Sequence, residues 1–163
     1  MPKAITYPKQ PFIGVDCSGQ PNAPPMIAVA TRWSRRDKQN RWIVQVDANQ
    51  INKHSSTPDW QEKIYASIVF RAADKILEPN YEIQIDKDFP SSKTERKVKQ
   101  HLKYLFGCHH GGDPTKENPP ISFKTRRSSQ YVKEAHKKHG LAKENKMTID
   151  EKTNVDYLMK LLK

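Results

Sequence analysis

Four carboxylates in this chain occupy positions from which they could share one task. Asp16 closes the apolar run of Phe12, Ile13 and Val15, and Asp86 closes the stretch YEIQI at residues 81–85. Glu62 lies in the first turn and a half of a helical pattern, and Asp156 lies on the last such pattern. Hard divalent cations take oxygen ligands, and a carboxylate at the edge of a strand hairpin sits where a cation could reach it. The spacing shows that all four can sit at the same edge of a sheet. Each also has a plainer reading. Asp16 and Asp86 can be strand-end turn residues, Glu62 an acid complementing a helix dipole, and Asp156 a surface acid.

The elements that must position them follow from periodicity. Residues 12–33, FIGVDCSGQPNAPPMIAVATRW, read as two antiparallel strands around a turn supplied by Gly19, Pro21, Asn22, Pro24 and Pro25. A charged turn, SRRDKQN at 34–40, leads to a third strand at 41–46, and the three strands form a meander. Residues 47–57 are polar and read as loop. A long helix follows, with Ser56 or Thr57 to accept from its free amides, Pro58 tolerated in its first turn and Asp59 at the positive end of its dipole. Trp60, Ile64, Ile68, Ala72 and Ile76 give it an apolar stripe as far as Leu77, and Pro79 stops it.

Because a helix separates the strand at 81–85 from the meander, that strand is expected to run parallel to an earlier one. Ser92 with Glu95 reads as a capping box, opening a helix that buries Val98, Leu102, Leu105 and Phe106 and ends at Gly107. Residues 108–120 read as loop, 121–125 as a fifth strand and 129–139 as a basic helix ended by Gly140. Thr148 with Glu151 suggests another capping box, opening a last helix with Val155, Leu158, Leu161 and Leu162 inward.

Composition bounds the rest. At 163 residues with 35% apolar content, the chain is expected to form a single domain, 1–163, with residues 1–10 as a loosely held arm. It has no run of about 18 apolar residues, and MPKAITYPKQ lacks a leader's apolar segment, so a soluble, cytoplasmic protein is expected. Cys17 and Cys108 make neither a disulfide framework nor a complete zinc site. His109 and His110 beside Cys108 lack a second ligand pair at finger spacing.

The net charge of +11 favours a polyanionic partner, although a solvated basic face without a partner has the same composition. The cations gather in two places. Arg32, Arg35, Arg36 and Lys38 surround the turn after the second strand, and Lys124, Arg126, Arg127, Lys133, Lys137 and Lys138 lie near the fifth. Both groups can engage phosphates, and Trp33, Trp42 and Trp60 could stack on bases or pack in the core.

The order of three strands, helix, strand, helix, strand and helices resembles that of the ribonuclease H family. The acids resemble it too: Asp16 before CSGQPNAPPMIAVA, Glu62 in QEKIYASIVFRA, Asp86 in IQIDKDF and Asp156 in TNVDYLMKLL. The resemblance implies a ribonuclease-H-like α/β fold, a mixed five-stranded sheet with a three-strand antiparallel meander and two parallel strands, flanked by helices. It implies a metal-dependent endonuclease that hydrolyses RNA in RNA/DNA hybrids, leaving a 3′-hydroxyl and a 5′-phosphate.

It also implies two ions, Mg2+ or Mn2+, one activating water and the other steadying the leaving oxygen, roughly 3.5 to 4 Å apart. Asp16 and Asp86 would be the central, shared ligands, and Glu62 and Asp156 the outer ones. Asp88 lies two residues past Asp86 and could replace or assist it. A basic insertion at 126–147, RRSSQYVKEAHKKHGLAKENKM, stands where the family has a short loop with a histidine. His136 or His139 could swing in to aid product release, or could be helix-end histidines beside lysines. The rivals are a structure-selective DNA nuclease of junction-resolvase type and a silent module binding RNA or hybrid duplex.

Overall fold

Apolar strands rich in Val and Ile build one mixed sheet, with α-helical layers on both of its faces. The computed structural model describes residues 12–17, 25–33, 39–78, 81–87, 91–109 and 119–163. The elements run β1 (Phe12–Cys17), β2 (Met26–Trp33), β3 (Gln39–Val46), α1 (Ala48–Asn52), α2 (Trp60–Ile76), β4 (Glu82–Asp86) and α3 (Ser92–His109). They continue with β5 (Ile121–Lys124), α4 (Gln130–Lys143), β6 (Glu151–Lys152) and α5 (Asp156–Leu161). The sheet order is β5-β4-β1-β2-β3-β6.

β1, β2 and β3 form the antiparallel meander, β4 lies parallel to β1, and β5 lies parallel to β4. Among the described residues the sheet has six strands rather than five. The sixth, β6, pairs parallel with β3 through Val44 with Glu151 and Gln45 with Lys152. The side chain of Asp150 anchors it, taking a hydrogen bond from the Ile43 amide at 2.9 Å.

Strand alternation sends successive side chains to opposite faces, and here the two faces carry different layers. Ile13, Val15 and Cys17 join Ile83, Ile85, Val44 and Val46 in a large core closed by α2, α3 and α5. Gly14 and Asp16 face the other way, toward α4. On that side a smaller core unites Ile27, Val29 and Ile43 with Ala142, and Met147 and Ile149 pack against it.

Gly14 is what lets α4 come close. A Cβ there would lie 2.1 Å from the Tyr131 carbonyl oxygen and 2.9 Å from the Val132 nitrogen. The helix backbone therefore rests directly on β1. Ser129 caps α4, its hydroxyl taking a hydrogen bond from the Val132 amide at 3.2 Å while donating to the Gln84 side chain on β4.

Several elements differ from the periodicity. Residues 47–57 hold the short helix α1, because Ile51 in that polar stretch is fully buried. Asp59 precedes α2 in a left-handed conformation and caps nothing with its side chain, which pairs instead with Lys97 of α3 at 2.8 Å. Ser91 rather than Ser92 caps α3, accepting from the Thr94 amide at 3.2 Å, and α3 runs past Gly107 to His109.

The segment expected as a basic insertion is largely the helix α4, which continues through Gly140 and buries Val132, Ala135, His139 and Ala142. Glu151 opens no helix. It sits in β6 and takes a hydrogen bond from the Trp42 indole at 3.0 Å, so α5 starts only at Asp156. The arm at 1–10, the turn residues 18–24, Arg35, Arg36, Lys38, Pro79, Asp88 and residues 110–118 lie outside the described residues. No helix among the described residues is long and apolar enough to cross a membrane.

Candidate metal centre

Strand register brings two of the four acids together. β1 and β4 run parallel, with Phe12 opposite Glu82 and Val15 opposite Ile85. The same register carried one residue further sets Asp16 beside Asp86. Both aspartates fall on the face toward α4, and the row continues outward to Lys124 on one side and to Val29 and Ile43 on the other. Each aspartate side chain is only 4% exposed. Two carboxylates buried side by side repel one another and lose hydration, so such a pair requires cations or protons close at hand.

The turn after β5 and the middle of α4 supply them. His136 Nδ1 lies 3.0 Å from Asp16 Oδ2, and His139 Nδ1 lies 3.4 Å from the same oxygen. Arg126 reaches in from the turn, its Nε 3.5 Å from Asp86 Oδ2 and its Nη1 3.0 Å from His136 Nε2. A guanidinium can only donate, so His136 Nε2 accepts from Arg126 and Nδ1 carries the proton given to Asp16. His139 is buried, and that burial pushes its pKa down to about 4. Lys143 and His136 add to the shift, and a hydrogen bond to the Ile27 backbone opposes it. At neutral pH His139 therefore adds no charge, and Arg126 is the fixed cation of the group.

Asp16, Asp86 and His136 each offer a ligand atom, all within 4.8 Å of one another, and this group could hold a metal ion. The donor chemistry fits a divalent cation: two carboxylate oxygens and one imidazole nitrogen, on a rigid sheet and a packed helix. A second observation agrees. Asp86 Oδ2 is buried and accepts no hydrogen bond among the described residues, although buried acceptors are ordinarily satisfied.

Glu62 and Asp156 stand in other groups. Glu62 is on α2, across the sheet from the α4 face, where its charge acts on Lys97 and His101 of α3. Asp156 heads α5 and is held by Lys53 Nζ at 2.7 Å and His54 Nε2 at 2.8 Å. The reason is alternation: α2 and α5 close the large core, whereas Asp16 and Asp86 point away from it.

Arg32 is likewise engaged elsewhere. It is opposite Ile13, away from the aspartates, bound to Glu78 at 3.0 Å and to the Tyr81 hydroxyl at 3.1 Å. Trp42 and Trp60 pack against the large core. Arg126, Arg127, Lys133 and Lys137 are exposed at the turn and along α4, next to the site.

The residue pattern marks His136 only as an accessory group and does not mark Arg126 as a partner of Asp86. One signal for His136 was present: Val132, Ala135, His139 and Ala142 recur at threes and fours, which marks a packed helix face with His136 on its flank. No protein-family model matches the chain, and no curated protein matches it significantly.

Proposed function

We propose that this protein is a metal-dependent nuclease with a ribonuclease-H-like sheet, acting on RNA in RNA/DNA hybrids. The observation that carries the proposal is the parallel register of β1 and β4. It sets two buried aspartates side by side at the carboxyl ends of their strands, with His136 completing a ligand group. The meander continued by two parallel strands, β5-β4-β1-β2-β3, supports the resemblance drawn from the sequence, and β6 is an addition at the far edge.

Asp16 and Asp86 are the proposed central ligands, and His136 takes the place that the resemblance gave to an acid. A divalent ion held by these residues would supply an activated water and Lewis-acid stabilisation of a phosphate oxygen. The carboxylates suit Mg2+ or Mn2+, and the imidazole favours Mn2+ of the two. If two ions bind, as the resemblance implies, Asp16 and Asp86 would be the carboxylates available to hold them.

The chain's other residues bind and position. Arg126, Arg127, Lys133 and Lys137 offer exposed cations to backbone phosphates on the turn and helix that carry Arg126 and His136, so binding weakens steeply with salt. Lys124, in register with Asp86, lines the same row. Arg32 has no part in this surface.

The test is cleavage of labelled RNA/DNA hybrid, duplex RNA and four-way DNA junctions, each with Mn2+, with Mg2+ and with chelator. Metal-dependent cutting of the hybrid, lost in Asp16→Asn and Asp86→Asn, is the expected result. Cutting of junctions alone transfers the assignment to a DNA nuclease. Retention of hybrid without cleavage, unchanged by either substitution, makes the protein a binding module.

A further inference from the structure

Arg126 occupies two of the three groups that a cation would need. It donates to His136 Nε2 at 3.0 Å and sets its Nε 3.5 Å from Asp86 Oδ2, so one guanidinium spans two of the three candidate ligands. It does so from an exposed turn, with its own side chain 49% exposed, whereas Asp86 is buried. The turn is built without it: the Ser128 amide donates to the Thr125 carbonyl at 3.1 Å, and the Thr125 hydroxyl to Ser128 Oγ at 3.0 Å. Arg126 can therefore leave the site without unmaking the backbone that carries it.

We propose that Arg126 is a displaceable internal cation, which neutralises Asp86 and holds His136 in its Nδ1-protonated tautomer until a divalent ion competes it away. The inference rests on the metal-centre reading but not on the identity of the nucleic acid. A guanidinium and a metal ion cannot both take the Asp86 oxygen and the His136 lone pair at contact distance, because their charges repel in a poorly hydrated pocket. Ion binding therefore carries the cost of ejecting Arg126. Ejection leaves a guanidinium free on the exposed turn, adjacent to Arg127 in the chain, where it could meet a phosphate.

The experiment compares parent, Arg126→Lys and Arg126→Gln by calorimetric Mn2+ titration at fixed pH and by melting in chelator and in saturating Mn2+. Arg126→Gln is expected to bind Mn2+ about tenfold more tightly, with Arg126→Lys between it and the parent. In chelator the Arg126→Gln protein should melt below the parent, since two buried carboxylates have lost their cation. In saturating Mn2+ the difference should vanish. Nitrogen chemical shifts of the His136 imidazole should report the Nδ1-protonated tautomer in the parent under chelator and a mixture in Arg126→Gln.

A parent that binds Mn2+ with an Arg126→Gln variant that binds it equally or more weakly overturns the role of Arg126 alone. Equal melting of the two in chelator does the same. A parent that binds no Mn2+ overturns the metal centre together with this inference.

Discussion

Replacing Gly14 by alanine tests whether the seating of α4 on β1 builds the site. The glycine backbone is in a conformation that any residue adopts, so the effect is steric. An added Cβ would meet the Tyr131 carbonyl oxygen at 2.1 Å, its carbon at 2.3 Å and the Val132 nitrogen at 2.9 Å. All three are backbone atoms, which cannot rotate away. Ordinary contact between such atoms is about 3.5 Å, so α4 must retreat from β1 by roughly 1 Å or more. Overpacking in a close-packed layer costs about 1 to 3 kcal/mol, and contact with helix backbone places this change at the upper end. For a chain of this length about 3 kcal/mol corresponds to a loss of roughly 6 to 12 °C in melting temperature.

The same retreat carries His136 and His139 away from Asp16, where they now stand at 3.0 and 3.4 Å. Thermal and urea melts measure the first effect, and Mn2+ titration of the folded variant measures the second. A Gly14→Ala protein that melts with the parent and binds Mn2+ as tightly refutes the argument that the approach of α4 assembles the centre.

Three further outcomes are expected. Ser129→Ala removes the α4 cap and leaves the Gln84 side chain without its hydroxyl partner; a loss of about 2 kcal/mol in urea melts is expected, and a loss near zero would contradict it. Burial raises the Asp156 carboxyl, but hydrogen bonds from Lys53 and His54 more than offset this and hold it below the usual carboxylate range. A depressed folded value gives stability that is present above the ordinary pKa of about 4 and lost as pH falls through the folded value. Asp156→Asn should therefore cost about 0.5 to 1 kcal/mol at pH 7, small because the pair is half-exposed and screened, with the gap to the parent closing as pH falls through the depressed folded value. Asp86→Asn should fold, since its Oδ2 accepts no hydrogen bond among the described residues, yet lose Mn2+ binding by calorimetry.

The parts of the fold written in local periodicity were legible. The meander, the stripe of α2 from Trp60 to Ile76, and β4 running into Asp86 follow from alternation and from spacing by fours, and the parallel course of β4 beside an earlier strand follows from the helix between them, although only the structure shows that strand to be β1. β6 was not legible, because two residues carry no period and Thr148 with Glu151 reads locally as a cap. Only its neighbour β3 decides the matter. Nor could the sequence show which face of the sheet an acid would take relative to each helix. Asp16 and Asp86 share a face by register, while Glu62 and Asp156 ride on helices that close the opposite core. His136 enters the site through packing of α4 on Gly14 and Arg126 from the turn before that helix, both through contacts between residues distant along the chain.

The measurement that bears most directly on the metal centre is a crystal soaked in Mn2+ and examined by anomalous diffraction. The expected result is a peak bonded to the carboxylates of Asp16 and Asp86 and to His136, with Arg126 turned outward. A Mn2+ peak at Glu62 or Asp156 instead, or Asp16 and Asp86 without Mn2+ at saturating concentration, would contradict it.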